Sequence, residues 1–123
     1  MRSLDEDSRS VWLDRLLVQL SVSLRGDIRG SMMSWEDARN MRKAGVTFGS
    51  HTISHSILSQ LSEHRIREEI LGSKRTIEER LQTEVKTFAY PSGRPVDFNE
   101  QVKKILAEAG YICAVSMLSL IHI

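Results

Sequence analysis

The sequence predicts an α/β fold in which parallel strands alternate with crossover helices. Helical and strand-like segments alternate along the chain, and the strand-like segments are short apolar runs, as in strands covered on both faces. Turn residues follow two of these runs. With 123 residues, 41% hydrophobic and 27% charged, the chain is long enough for one globular domain with its own core.

The first predicted helix spans residues 11 to about 22. Polar side chains occupy one side, and apolar residues that are expected in the core recur at helical spacing on the other: Leu13, Leu16, Leu17 and Leu20. Residues 26–31 are polar and contain glycine, which predicts a loop.

Capping signals delimit the next helix. Ser34 is a predicted N-cap with Asp37 at the capping-box position, and the helix is expected to run to Lys43 and to end at Gly45. The apolar run Val46–Ser50 follows at once and is predicted to form a buried strand.

Ser62 and Glu63 open the longest predicted helix, which ends near Leu81. Its apolar face consists of Ile66, Ile70, Ile77 and Leu81. The remaining positions are largely charged, which is typical of a solvated face. His64 lies off the apolar face and is expected at the surface.

Two further strands and one helix complete the predicted order. Residues 85–90 form the second strand, which Pro91 and Gly93 break, and residues 111–115 form the third. Between them Asn99 is expected to cap a helix over residues 100–109 that Gly110 ends.

Composition gives no reason to invoke nucleic acid or a membrane. The formal net charge is +1, and no apolar stretch approaches the roughly 18–20 residues of a membrane span. The N-terminus lacks the apolar region of a signal peptide, so a secreted protein would carry its signal outside this chain and the localisation stays open. The only cysteine, Cys113, lies in an apolar run and is expected in the core.

His51 and His55 are the candidate metal ligands. Four residues of extended strand cover about 13 Å, whereas two imidazoles on one metal each bring a nitrogen to about 2.0–2.1 Å from it. The chain must therefore curl between them, and the hydroxyls of Ser50, Thr52 and Ser54 favour a turn. Surface or hydrogen-bonded histidines are the alternative interpretation.

The histidines follow the first predicted strand, and residues 91–94 follow the second. In parallel α/β folds the carboxyl ends of the strands carry the chemistry, so both segments are expected on one rim. Pro91 and Gly93 can also be explained as turn residues alone.

Residues 34 to about 116 resemble the polysaccharide deacetylase family, the NodB-homology domain of carbohydrate esterase family 4. The run Phe48-Gly49-Ser50-His51-Thr52-Ile53-Ser54-His55 is similar to the metal-binding motif of that family. The run Phe88-Ala89-Tyr90-Pro91-Ser92-Gly93-Arg94 is similar to the motif that forms one wall of its groove. The two matches occur in the family's order and are separated by a long helix.

The resemblance implies a distorted (β/α) barrel that removes acetyl groups from N-acetylated or O-acetylated polysaccharides, including chitin-like polymers, peptidoglycan glycan and xylan. It implies a divalent metal, commonly zinc, held by one aspartate and two histidines, which match His51 and His55. Ser92 matches a backbone N–H donor to the oxyanion, and Tyr90 and Pro91 match the groove wall. If the complete protein is secreted, the resemblance suggests the cell envelope or the outside of the cell.

The chain departs from the family pattern in several places. No apolar run ending in paired aspartates precedes the histidines, and Asp5, Glu6 and Asp7 lie in a polar leader and are assigned no role. Ala89 stands where the family often has an arginine. The acid and base residues are therefore expected to be missing from this chain, which predicts that it is inactive by itself.

Three regions are distinguished on this basis. Residues 1–33 are interpreted as the N-terminal helix and loop of an incomplete barrel, and residues 34–117 as the central part of the deacetylase domain. Residues 118–123 resemble what one reading frame of a transposon end used in sequencing libraries encodes. A non-native tail is therefore favoured over a catalytic His122.

Two other functions stay open. The first is a non-catalytic α/β binding or structural domain in which the histidine pair only forms hydrogen bonds. The second is a nuclease-like or phosphatase-like metal hydrolase, which needs several carboxylates near the histidines. Asp97 and Glu63 are the nearest in sequence, and loop and helix-start roles account for them.

Overall fold

A computed structural model describes residues 32–117 and 120–122, together with five N-terminal positions: Val11, Arg15, Leu16, Val18 and Gln19. The chain divides into two compact units, residues 1–33 and 34–123. The five N-terminal positions are all helical, in agreement with the predicted first helix. All five are exposed, and Leu16 is 49% exposed. The predicted core position of Leu16 is therefore wrong. The other three leucines and the predicted loop at residues 26–31 lie outside the described residues.

Within the described part of the second unit, helices and short strands alternate. In chain order they are α1 (Trp35–Lys43), a 3-10 turn (Leu58–Gln60), α2 (Glu63–Leu81), β1 (Thr87–Ala89), α3 (Glu100–Glu108), β2 (Cys113–Val115) and β3 (Leu120–His122). None of the described helices is long and apolar enough to cross a membrane.

Side-chain caps begin the three helices of this unit, as predicted. The Ser34 hydroxyl accepts the Asp37 backbone N–H, and the Asp37 carboxylate in turn accepts the Ser34 backbone N–H at 2.9 Å. The Ser62 side chain accepts the backbone N–H of Arg65 at the start of α2, and the Asn99 side chain accepts that of Val102 at the start of α3. At the end of α1, Gly45 adopts a φ of +94°, the left-handed conformation that glycine tolerates best.

The predicted parallel arrangement is confirmed for the segments that carry the two motifs. β1 and β2 are parallel, with Phe88 opposite Ala114, and Ser50 forms a parallel bridge to Phe88 on the other edge of β1. β3 pairs antiparallel with β2, placing Ile121 opposite Ala114. β3 lies within residues 118–123, for which the sequence predicts a non-native tail rather than a strand, and the native or foreign origin of this tail stays a prediction.

The predicted buried strand Val46–Ser50 is wrong for most of its length. The backbone N–H of Val46 donates to the Met41 carbonyl, so this residue completes the end of α1 instead of a strand ladder. Val46 is 41% exposed, and only Ser50 is both buried and bridged to β1. Within the described residues no strand pairs with the other edge of this segment, which limits it to a single bridge.

One face of the sheet packs on the core and the other is open. The core consists of Leu58, Ile66, Ile70, Val85, Phe88, Tyr90, Val102, Ile105, Leu106, Tyr111 and Ala114. The alternate residues Thr87, Ala89, Cys113 and Val115, here called the open face, are half-buried or exposed. The expectation of strands covered on both faces is therefore wrong for the described sheet. Cys113 is half-buried rather than core because its side chain lies on this face.

Helix α2 spans the predicted residues and buries the predicted face. Ile66, Ile70 and Leu81 are buried, and Ile77 packs against the core while remaining partly accessible. The His64 side chain is 81% exposed, which confirms its surface position.

Candidate metal centre

The chain reverses direction sharply between the two histidines, as their spacing predicts. Thr52 and His55 have φ values of +67° and +60°, which non-glycine residues rarely adopt. The Thr52 hydroxyl oxygen accepts the His55 backbone N–H at 3.0 Å and closes the turn. The two imidazole rings lie next to one another in an edge-to-face arrangement, with centroids 4.8 Å apart and planes at 75°.

A hydrogen bond to β1 sets the tautomer of His51. Its Nδ1 lies 2.8 Å from the Ala89 carbonyl oxygen. A carbonyl oxygen can only accept, so Nδ1 carries a proton, and in the neutral form of the ring Nε2 then presents its lone pair. A ligating histidine usually has its other ring nitrogen held by such an acceptor, which fixes both the tautomer and the ring orientation.

The donor atoms of the histidine pair suit a metal ion, but two protein ligands are fewer than a catalytic site uses. Two imidazoles that ligate one tetrahedral ion at about 2.0–2.1 Å have ring centroids about 5 Å apart, close to the observed spacing. Catalytic zinc sites use three protein ligands. Among the residues that the structure describes, no group of three or more His, Cys, Asp or Glu side chains could hold an ion. The roles of His51 and His55 as two ligands of such a site stay a prediction.

The segment after β1 packs against the end of β2, on the same rim as the histidines. The Tyr90 N–H donates to the Val115 carbonyl at 3.0 Å, and the Gly93 N–H donates to the Pro91 carbonyl at 2.7 Å. Ser92 is exposed at the tip of this turn with a φ of +59°. The hydrogen bond from His51 to β1 joins the two motifs, so their predicted position on one rim is confirmed.

Tyr90 and Pro91 are buried behind this turn. Tyr90 is 4% exposed and its ring stacks on Phe98 with centroids 4.0 Å apart. Burial, assisted by the negative charge of Glu100, raises the pKa of the Tyr90 hydroxyl to about 12. Both residues support the turn from within, and their contact with a substrate remains a prediction.

Asp97 and Arg94 form an ion pair that shapes the following loop. The Arg94 guanidinium donates to both carboxylate oxygens of Asp97, at 3.0 and 2.9 Å, and the Asp97 side chain is 1% exposed. These hydrogen bonds hold the pKa of Asp97 below its usual value in spite of burial. Glu63 instead pairs with Arg67 at the surface of α2. The loop and helix-start roles expected for the two carboxylates are therefore confirmed.

Glu69 is the residue of this region that the sequence analysis misses. It is 3% exposed, and its carboxylate accepts the backbone N–H groups of Ile53 and Ser54 at 2.7 and 2.9 Å and the Ser54 hydroxyl at 2.7 Å. Burial alone would raise its pKa, but these three hydrogen bonds and the nearby charge of Arg65 together lower it. A charged residue next to Ile70 on the apolar face of α2 is the sequence signal that points to it.

An open cavity lies beside His51. It has a volume of about 410 Å³ and is lined by Gly49, Ser50, His51, Thr87, Phe88, Ala89, Cys113 and Val115. Its lining therefore includes all four residues of the open face and reaches the first histidine.

The fold and the site together define an α/β protein with a histidine pair at the carboxyl edge of parallel strands. The family model described as polysaccharide deacetylase matches residues 17–114, which is more than half of the chain. The chain belongs to the polysaccharide deacetylase family.

Individual relatives agree with this assignment. Over 76 residues the chain is 29% identical to the putative polysaccharide deacetylase YxkH of Bacillus subtilis (strain 168), a match that covers 62% of this chain and 26% of that protein. The structure of the Streptococcus pyogenes deacetylase PplD in complex with acetate is 29% identical, with a TM-score of 0.60, over 64% of this chain and 34% of that one. A CE4 family pseudoenzyme from Bacillus anthracis is 27% identical, with a TM-score of 0.57, over 63% of this chain and 26% of that one.

These similarities establish a fold of the NodB (β/α) type for the matched part. The chain spans about a quarter to a third of the length of these relatives. The described strands form a three-stranded sheet and not a closed barrel.

Proposed function

We propose that the complete gene product containing this chain is a metal-dependent deacetylase of N-acetylated or O-acetylated polysaccharide, including peptidoglycan glycan. Family membership supports the reaction class. The observation that supports the metal dependence is the adjacent imidazole pair, in which the Nδ1 atom of His51 is hydrogen-bonded to the Ala89 carbonyl.

In this proposal His51 and His55 hold a divalent metal, zinc being the proposed ion. When bound, such a metal supplies a Lewis acid for the acetyl carbonyl. The Ala89 carbonyl orients the His51 ring, and the Thr52 hydroxyl holds the turn that brings His55 to it. The Ser92 backbone N–H is the proposed donor to the oxyanion, which needs no particular side chain. The acid, the base and the aspartate ligand are not assigned to any described residue.

The test uses the complete gene product, with zinc titration and acetate release from chito-oligosaccharides as measurements. His51→Ala and His55→Ala are each expected to abolish stoichiometric zinc binding and to lower acetate release at least about 100-fold. His64→Ala is the matched control, because His64 is exposed on α2 and pairs with Glu68 on the same helix. Full activity and zinc binding in the two site variants would show that the metal assignment is wrong.

A second candidate is a non-catalytic domain of the same fold. The 27% identity to a structure described as a CE4 family pseudoenzyme favours it. The same experiment separates the two candidates, since a non-catalytic domain releases no acetate. If the histidine pair only forms hydrogen bonds, the protein also binds no stoichiometric zinc.

A further inference from the structure

Two buried polar side chains of α2 hold residues 49–55, here called the histidine segment, at two places. They are Glu69 and Ser73, which lie one helical turn apart and are 3% and 6% exposed. Glu69 bonds to Ile53 and Ser54 inside the turn, and Ser73 bonds to Ser50 at the end of the strand segment. The histidine segment is therefore attached to one face of one helix.

The Ser50 and Ser73 hydroxyls share a hydrogen bond of 2.5 Å, and the Ser73 hydroxyl also lies within hydrogen-bond distance of the Ile70 carbonyl, at 3.1 Å. Ser50 is in turn bonded through its backbone to Thr87 and Ala89 on β1. This end of the segment is thus held from two sides.

The turn itself depends more heavily on Glu69. The two left-handed residues of this turn, Thr52 and His55, each occupy a conformation that non-glycine residues rarely adopt and that persists only when the surroundings enforce it. Ile53 is 63% exposed, so apolar burial does little to enforce the turn. One oxygen of the Glu69 carboxylate accepts the backbone N–H groups of Ile53 and Ser54, which lie between the two left-handed residues. The other oxygen accepts the Ser54 hydroxyl.

We propose that Glu69 is a positioning residue that locks the Thr52–His55 turn through these three hydrogen bonds and thereby aims the His55 imidazole at His51. Its effect on metal binding rests on the proposed function, whereas its effect on the turn does not. A carboxylate suits the role because it offers only acceptors to three converging donors. An amide would present N–H donors to one of them.

The experiment compares Glu69→Ala and Glu69→Gln in the complete gene product with the control Glu68→Ala. Glu68 is the adjacent carboxylate, and it pairs with Arg65 on the solvent side of the helix. Amide hydrogen exchange in the metal-free protein is measured at Ile53 and Ser54, with the core amides of α2 as internal reference. Zinc affinity is measured by titration.

In Glu69→Ala the Ile53 and Ser54 amides are expected to lose their protection from exchange, whereas the core amides of α2 keep theirs. The zinc Kd is expected to rise about 10–100-fold. Glu69→Gln keeps one acceptor oxygen and is expected to fall between Glu69→Ala and the unchanged protein. Glu68→Ala is expected to match the unchanged protein in both measurements. This graded rescue separates a hydrogen-bonding role from mere filling of space.

Unchanged protection of both amides in Glu69→Ala would overturn the proposal. If Glu69→Ala does not fold, Glu69→Met decides, because it keeps the length of the side chain without a carboxylate oxygen: unchanged protection of both amides overturns the proposal and reduced protection supports it. If the unchanged protein binds no zinc, the proposed metal site fails, and the exchange of the metal-free protein still decides the role of Glu69.

Discussion

Gly49 lies so close to β1 that it has no room for a side chain. A Cβ atom at this position would be 2.6 Å from the Thr87 side-chain oxygen and 3.0 Å from the Thr87 carbonyl oxygen. The same carbonyl accepts the Ser50 N–H at 2.9 Å. Any side chain would therefore push the histidine segment away from the strand that orients His51.

We predict that Gly49→Ala lowers the free energy of unfolding by about 1–3 kcal/mol, the usual cost of overpacking. Gly72→Ala is the control, since its Cβ would meet the far end of the exposed Ile53 side chain, which can turn away, and alanine favours a helix by about 1 kcal/mol. Urea unfolding of the complete gene product measures both changes. Equal stability of Gly49→Ala and the unchanged protein would contradict the close approach.

Asp97 makes the stability depend on pH. Its pKa is lowered in the folded state, chiefly by the Arg94 guanidinium, from the ordinary value of 3.8. A carboxyl whose pKa is lower in the folded than in the unfolded chain stabilises the fold at pH values above its unfolded pKa. This contribution disappears as the pH falls through its folded pKa. Acidification must therefore weaken the loop that Asp97 organises.

We predict that Asp97→Asn lowers stability near neutral pH and makes its dependence on pH shallower between about pH 5 and pH 2. The residual dependence comes from other carboxylates with lowered pKa values, including Glu69. Urea unfolding at a series of pH values measures the slope. The same slope with and without Asp97 would refute the role of this ion pair.

At the scale of elements, helix α1 relies on its capping box. Ala38 is its only buried residue among those described, so packing contributes little to its stability. The reciprocal hydrogen bonds between Ser34 and Asp37 satisfy N–H groups that the first turn would otherwise leave unpaired.

We predict that Ser34→Ala destabilises the protein by about 1 kcal/mol and increases hydrogen exchange in the first turn of α1. Ser34→Asp restores an acceptor and should recover most of the loss. Urea unfolding and amide exchange measure the two effects. Protection of α1 amides that does not change in Ser34→Ala would rule out a stabilising cap.

At the scale of the whole molecule, the described sheet leaves apolar surface uncovered and a strand edge without a paired strand. Ala89, Cys113 and Val115 contribute to the open face, and the outer edge of β1 carries only the single bridge from Ser50. Unpaired strand edges and contiguous apolar surface recruit other chains.

We therefore predict that the isolated 123-residue chain associates at micromolar concentration and unfolds without a sharp transition. Light scattering and thermal melting followed by circular dichroism measure this. Val115→Lys places a charge on the open face and is expected to reduce association. A soluble monomer with a cooperative melt would count against the prediction.

The sequence by itself determined the features that depend on neighbours along the chain. The caps at Ser34, Ser62 and Asn99 involve residues three apart, and helix periodicity is local too, so both were predictable. The curl between His51 and His55 followed from their spacing and from metal–nitrogen bond lengths, on the premise that the two imidazoles share one metal. The family motifs around these residues added the reaction class.

Only the tertiary structure decided features that depend on distant partners. Glu69 meets its donors 15 and 16 residues away in sequence, and no local rule selects that pairing. The same holds for Val46–Ser50, whose apolar run predicts a buried strand. Burial of a strand requires neighbours on its edges and faces, and among the described residues this segment has only the bridge to β1. Chain-local patterns thus determined the helices and the histidine turn, whereas packing decided what holds the turn and which face stays open.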